Sequence, residues 1–382
     1  MNHIRGLWLE SLGPSAALAN PAELRAAMHY CQGLGVSDLY LQVYREGRAW
    51  FRSTVAGQEH LLPVLSSGHE PLRAALDLAA SCGIRVHAWI NAFNLGLNER
   101  APILERSGPE VLLTDNCGTR LDVYSSEGKP PDARAEYFQL DAPKLWLDPS
   151  SPHVKQHLET VVSELFEAYP QFCGLHLDFF RYPYFLPMQP SSRIGCGFET
   201  GYGQDALQRF AEASGHSDGF KKDERGALRP IDETVSLAWD RWRRAEVGSY
   251  TNSFRKIIGA EKTLSVAAIA WADRAFFTAY QNWRQWLSED SIDQACLMAY
   301  TADDELFSYL VHQAAAFQSA HSIVLGGAGV YLHRDAAQLA GQMHAASLAG
   351  AKGSLIFSYE NLRKKGIDSS TLTDLLGQRR RI

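Results

Sequence analysis

The sequence predicts an α/β fold, a single (β/α)8 TIM barrel with long insertions after strands 3 and 4, and three observations predict it. Short β-branched or aromatic runs alternate with longer helical patterns from one end of the chain to the other. Counting them yields eight strands, each followed by a helix, with nothing left over at either end. The first strand is followed by Leu-Glu-Ser-Leu-Gly-Pro instead of a Gly-rich phosphate turn, which excludes a doubly wound dinucleotide fold. The 382 residues then form one domain spanning 1–382, with insertions at about 95–150 and 183–232.

Residues 4–10 form the first strand, and Asn20-Pro21 opens a helix with an N-cap amide and a proline at its first position. That helix runs to Gly33 or Gly35. The second strand is 38–44 and its helix is 71–82, ended by Gly83; the third strand is 84–91. A polar, Pro- and Gly-bearing stretch follows, too long for an ordinary connection, so it reads as an insertion with structure of its own. Ser151-Pro152 opens a helix to Tyr169, strand four is 172–178, and a second irregular stretch reaches about Asp232. A long amphipathic helix at 234–258 carries Trp239, Trp242, Arg243 and Arg244. Strands five to eight are 263–270, 292–300, 322–331 and 353–359, with helices at 279–287, 305–320, 335–349 and 370–377. Gly326-Gly327 lies inside strand seven, where close backbone packing explains it better than a phosphate site.

Lys plus Arg is 37 against 43 Asp plus Glu, a net charge of −6, so the electrostatic footprint of a nucleic-acid binder is absent. The six cysteines are scattered singly and read as buried thiols. No apolar run reaches the length of a membrane span, and the start shows no signal-peptide core. As written the chain reads as cytoplasmic; a trimmed export signal would make it periplasmic. His153 and His157 lack the glutamate of an H-E-x-x-H site and no G-x-S-x-G elbow is present, so neither a metal nor another cofactor is called for. Oligomeric state is not legible.

In such a barrel the ligand site lies at the C-terminal strand ends. These carry Trp8 and Glu10; Gln42, Tyr44 and Glu46; His87, Trp89, Asn91 and Asn94; His176, Asp178, Arg181 and Tyr182; Trp271 and Asp273; Tyr300, Asp303 and Asp304; Tyr331 and His333; and Ser358, Tyr359 and Glu360. Amides and carboxylates bind sugar hydroxyls and aromatic faces stack on sugar rings, so the partner expected is an oligo- or polysaccharide. The sharpest segment is Gly174-Leu-His-Leu-Asp178-Phe-Phe-Arg-Tyr-Pro183. Alternation turns His176 and Asp178 into the barrel together. Asp178 is then either a reacting group or an ion-pair partner of Arg181, and His176 either a substrate contact or a hydrogen-bonded core histidine.

At these residues the chain resembles the bacterial glycosyl-hydrolase-like family ten, barrel proteins that include hydrolases of peptidoglycan glycan strands. The matching pieces are R-G-L-W at 5–8, L-Q-V-Y-R-E-G at 41–47, H-A-W-I-N at 87–91, L-D-P-S-S-P-H-V at 147–154 and the 174–183 segment. W-x-x-W-R-R at 239–244, G-A-G-V-Y at 327–331 and G-S-L-I-F-S-Y at 353–359 complete the register. The resemblance implies a glycoside hydrolase with Asp178 as leading catalytic residue. Family members often carry two adjacent acids here, and Phe179 stands at the second position. The segment is also similar to the D-x-x-D-x-D-x-E strand of chitinases, but Phe180 replaces its acid, which excludes that mechanism.

Glycoside hydrolysis takes two carboxyl groups. Asp178 is assigned as nucleophile or electrostatic stabiliser, and its partner, a carboxyl whose pKa burial raises, is sought in the order Asp303, Glu360, Glu46. Tyr44, Glu46, His87, Trp89, Asn91, His176, Arg181, Tyr300 and Tyr331 are the substrate-binding candidates, with core packing the alternative for Trp89 and Tyr300. The competing function is a non-hydrolytic, glycan-binding barrel.

Overall fold

Eight parallel strands close into a ring. The computed structural model describes residues 3–124, 129, 138–140, 145–187 and 199–379. Its barrel strands are β1 (Ile4–Leu9), β2 (Asp38–Arg45), β3 (Arg85–Asn91), β4 (Gly174–Asp178), β5 (Thr263–Ile269), β6 (Gln294–Met298), β7 (Ile323–Gly329) and β8 (Gly353–Phe357). Each pairs in parallel with its successor, and β8 pairs with β1, Ile4 opposite Gly353, so no barrel edge is left open.

The outer layer comprises α1 (Pro21–Leu34), α2 (Pro71–Ser81), α3 (Pro152–Ala168), α4 (Glu233–Ile258), α5 (Trp283–Ser288), α6 (Asp304–Ala315), α7 (Ala336–Leu348) and α8 (Ser369–Arg379). Local chemistry sets their ends. Asn20 Oδ1 accepts the Ala22 N–H at 3.0 Å, and Gly35 closes α1 in the left-handed region at φ 69°. Asp232, Asp303 and Asp335 cap α4, α6 and α7 in the same way. The helix expected at 279–287 is two short ones, Ala272–Phe277 and α5, because the chain turns through a left-handed Tyr280 (φ 52°) between them. No helix among the described residues is long and apolar enough to cross a membrane.

Period-two alternation divides the core into two shells. Leu7, Leu9, Leu39, Leu41 and their equivalents face the helices. Trp8, Tyr40, Trp89, Cys296, Leu325 and Leu355 fill the barrel interior. The interior is crowded: a Cβ on Gly327 would lie 2.1 Å from the Leu297 carbonyl oxygen and 3.2 Å from the Trp8 ring.

Parts of both insertions fall outside the described residues, Cys196 among them. In the described parts, Asn94–Gly96 pairs antiparallel with Leu145–Trp146, and Phe138–Leu140 with Phe185–Pro187, which ties the two insertions together above β3 and β4. Helix Gln204–Ser214 and the hairpin Phe220–Lys222/Leu228–Pro230 pack a second apolar cluster, Tyr202, Phe210 and Val235 among its members, against Trp239 of α4. Arg243 locks this unit down. It is fully buried, bonded to Glu199 at 2.8 Å, to Asp240 at 2.7 Å and to the Thr200 carbonyl at 3.0 Å, with its guanidinium 3.9 Å over the Tyr280 ring.

Gly327→Ala is expected to lose about 1–3 kcal/mol of stability by urea unfolding, because the neighbour it meets is backbone. Gly377→Ala, at an exposed site in α8 where a Cβ meets nothing, is expected to gain about 0.5–1 kcal/mol.

Candidate active site

The floor of the barrel mouth is a set of linked polar side chains, in which His87 Nδ1 is the atom left without a hydrogen-bond partner among the described residues. The Trp8 indole N–H donates to His176 Nε2 at 3.0 Å, so that nitrogen is an acceptor and the ring proton sits on Nδ1. Nδ1–H reaches Ser265 Oγ at 2.9 Å, and the serine passes its own proton to the Leu175 carbonyl at 3.4 Å. Burial, with His87 adding to it, holds His176 well below the usual histidine pKa, so the ring is neutral. Deeper still, His87 Nε2 bonds Asp38 at 2.8 Å while Arg85 holds the other carboxylate oxygen at 2.9 Å, and Tyr40 stacks on His87 at 4.8 Å. His87 and His176 are both fully buried, so the structure sets them beneath the mouth and not in its lining.

Asp178 ends β4 at the rim. The Ala92 N–H donates to its carbonyl at 2.8 Å, and Asn91 is its register partner on β3. The next residue, Phe179, adopts φ 49°, a left-handed conformation that costs about 1–2 kcal/mol in a non-glycine residue. That turn brings the Phe179 N–H back to Asp178 Oδ1 at 2.7 Å. Burial is the largest influence on the carboxyl and pushes its pKa up to about 6; the Phe179 N–H, Arg181, the Trp89 indole and Arg45 all pull the other way without prevailing. The Trp89 indole N–H is buried and completes no hydrogen bond among the described residues. The sequence assigns a raised pKa to the partner of Asp178; in the structure Asp178 itself has one.

Aromatic rings wall the opposite side. Tyr300 stacks on Phe357 at 5.4 Å, and Tyr331, 47% exposed, meets both edge-on at 6.0 and 6.4 Å. The Tyr300 hydroxyl is pushed well above its usual pKa by burial first, then by Asp178, Tyr331, Cys296 and Glu10. One phenol therefore feels two carboxyls from different strands. Glu10, just beyond β1, accepts the Ser358 hydroxyl at 2.7 Å. Asn91 Oδ1 accepts the Gln42 amide at 3.3 Å, leaving its N–H donors as the groups it can offer a ligand.

The remaining candidates are placed as follows. Asp303 is exposed, and its Oδ1 accepts the Glu305 and Leu306 N–H groups at 2.9 and 3.0 Å as the cap of α6. Glu360 accepts the Ser15 hydroxyl and its N–H. Glu46 lies between Arg45 at 3.3 Å and Arg48 at 3.5 Å. None of the four acids Asp303, Glu360, Glu46 and Glu10 is among the largest influences on Asp178, and of the four only Glu10 is among those on Tyr300. Tyr44 is fully buried and points outward to His157 of α3, whose Nδ1 accepts from Arg106 and whose Nε2–H therefore donates to the Tyr44 hydroxyl at 2.9 Å. Arg181 sits among the Trp146, Phe179 and Tyr184 rings at 5.1, 5.6 and 5.2 Å. Glu10 is visible in the sequence as a rim carboxyl but ranks with none of the acids there. Ser358 is likewise visible at the end of strand eight; Trp146 is not anticipated, and only the late turn of the first insertion against Phe179 brings it in.

A family model described as Glycosyl hydrolase-like 10 matches residues 3–338. Among curated proteins, the glycosyl hydrolase DigH of Escherichia coli K12 and that of Shigella flexneri are each 23% identical over 213 residues, covering 50% of this chain and 44% of theirs. The chain is thus matched to less than half the length of these relatives. Among solved structures, the catalytic domain of a beta-amylase from Paenibacillus polymyxa aligns at TM-score 0.60 and 12% identity over 98% of both chains. The beta-galactosidase of the psychrophile Marinomonas ef1 aligns at TM-score 0.62 and 11% identity, over 99% of this chain and 59% of that one. At these identities the likeness is one of fold, the TIM barrel.

A carboxyl that titrates near pH 6 folded and near ~3.9 unfolded binds more protons in the folded state between those values, so it costs stability as pH rises through that window. Asp178→Asn is expected to match the wild type in thermal unfolding at pH 4 and to exceed it by about 2–3 kcal/mol at pH 8.

Proposed function

The chain belongs to the glycosyl hydrolase-like 10 family, and on that premise we propose that it is a glycoside hydrolase acting on a bacterial cell-wall glycan of the peptidoglycan type. The observation that carries the reading is the Asp178 carboxyl, kept protonated to about pH 6 in an aromatic-walled mouth. A carboxyl in that state is suited to give its proton to the glycosidic oxygen as the C–O bond breaks. We take Glu10, which with Asp178 acts on the Tyr300 hydroxyl, as the second carboxyl, to meet the sugar carbon directly or through water; Asp303 and Glu360 are its rivals. Asn91, Arg181, Tyr300 and Tyr331 hold the sugar, the rings by stacking and Asn91 and Arg181 by donating to hydroxyls, while Trp89, buried in the barrel interior, supports the site from below. The cell-wall assignment rests on the resemblance to hydrolases of peptidoglycan glycan strands.

A second reading, glycan binding without hydrolysis, draws on Phe179, whose ring packs 5.5 Å from Trp146 at the place where family members often carry an acid.

Glycan strands stripped of stem peptides are the substrate for the test, with released reducing ends as the readout. Asp178→Asn and Glu10→Gln are each expected to slow release by about 10²–10⁴-fold while strands still bind. Asp303→Asn and Glu360→Gln are expected to stay within a few-fold of wild type. If wild type releases nothing and binds strands no better or worse than Asp178→Asn, the binding reading replaces the hydrolase.

The pH profile supplies an independent check. Because the protonated acid is the active form, kcat/KM is expected to fall as pH rises through about 6. A profile flat to pH 8 would remove Asp178 from the acid role.

A further inference from the structure

We propose that the groove between α5 and α6, beside the mouth, is a second glycan-binding site that holds a polysaccharide chain outside the cleft; it rests on the glycoside hydrolase reading above. The groove exists because α5 is only 6 residues long, between an α4 of 26 and an α6 of 12. A helix of ordinary length would cover the flank of α6. Here that flank is open over a cavity of about 340 Å³, within the size range of small-molecule sites.

Its lining has the chemistry that recognises sugars. Tyr309, Gln313 and Phe317 follow one another at i, i+4 and i+8, a single stripe along α6 and the turn after it. Tyr309 is 55% exposed, Phe317 37%, and Trp271 on the facing wall 46%. Single exposed rings need no explanation, but three around one cavity do. Polar groups stand at their edges: Arg284 lies 5.3 Å over the Phe317 ring and 3.7 Å from Asp273, whose carboxylate is 67% exposed. Faces for stacking thus alternate with a carboxylate, a guanidinium and an amide for hydroxyls.

The charges also select the occupant. Asp273 pairs with Arg284, and Arg274 in the same lining leaves one net positive charge, which suits a polyhydroxylated chain that bears carboxylates, as glycan strands stripped of their stem peptides do. An exposed ion pair in the middle of the patch is unlike the core of a protein interface, from which charged residues are depleted. The walls are held in place beforehand: Trp283 donates its indole N–H to the Ile269 carbonyl at 3.1 Å and meets the Phe317 ring edge-on at 6.1 Å. Position completes the case. Trp271 lies two residues past β5, the strand beside β4, so a chain leaving the mouth at Asp178 passes over it.

The test compares wild type, the double variant Trp271→Ala/Tyr309→Ala, and Phe277→Ala, an equally exposed ring outside the groove. Each is assayed for co-sedimentation with insoluble peptide-stripped glycan, and for hydrolysis of that glycan and of short soluble fragments cut from it. The double variant is expected to bind the insoluble glycan about tenfold more weakly, and to hydrolyse it correspondingly more slowly, with turnover of soluble fragments and the circular-dichroism spectrum unchanged. Phe277→Ala should match wild type. Wild-type binding by the double variant overturns the second site and leaves the hydrolase standing. Absence of binding and hydrolysis from all three proteins overturns the hydrolase, and the site with it. Loss of self-association in the double variant, with glycan binding intact, makes the stripe an interface between copies and overturns the proposal.

Discussion

The hydrogen bond from Trp8 to His176 spans the barrel from β1 to β4, and the mouth above it depends on that bond. An eight-stranded barrel has room inside only for side chains, so a polar group placed there either finds its partner within the same few ångströms or, like the Trp89 indole N–H, finds none among the described residues. Here an indole, an imidazole and a serine hydroxyl form a chain in which every proton has one acceptor. Removing one member would strand another at about 1–3 kcal/mol, and would open the floor to water. Water under Asp178 would relieve the desolvation that raises its pKa. The structural network and the chemistry of the carboxyl above it are therefore coupled through the dryness of one layer.

At Asp178 four stabilising influences compete with burial, and burial wins. The nearest of the four, the Phe179 N–H, is available only because the backbone accepts a left-handed residue without glycine. Strain of that kind persists where the surroundings hold it, and here Trp146 and Arg181 pack on the Phe179 ring. The phenylalanine that looks like a lost acid in the sequence has a packing role in the structure.

Much of this was legible beforehand. Alternation marks eight strands, places Trp8 inward and pairs His176 with Asp178 on one face. What alternation does not encode is depth. His87, Trp89 and Asn91 share a parity and all point inward, yet the first lies in the buried floor, the second above it and the third at the rim. Tyr44 fails for a different reason: an irregularity in the β2–β3 register between Gln42 and Tyr44 resets the alternation and turns the tyrosine out toward α3. Asp303 shows a third limit, since an acid two residues before an apolar helical run serves equally as a cap or as a catalyst until its hydrogen bonds are known. The two-part connection around Tyr280 was hidden because a left-handed non-glycine residue carries no compositional mark.

The pairing of β1 with β8 has a consequence for how the chain reaches this state. The first strand of the barrel to be made has one of its two partners in the last, Ile4 beside Gly353. Until that segment is made, one side of β1 presents bare amide and carbonyl groups, as does the side of β7 that β8 will cover. Closure is a contact of high sequence separation, which slows folding and lengthens the time an aggregation-prone edge is on display. Biosynthesis of this barrel is thus a waiting problem, and a chaperone acting on it would find its target at the first strand.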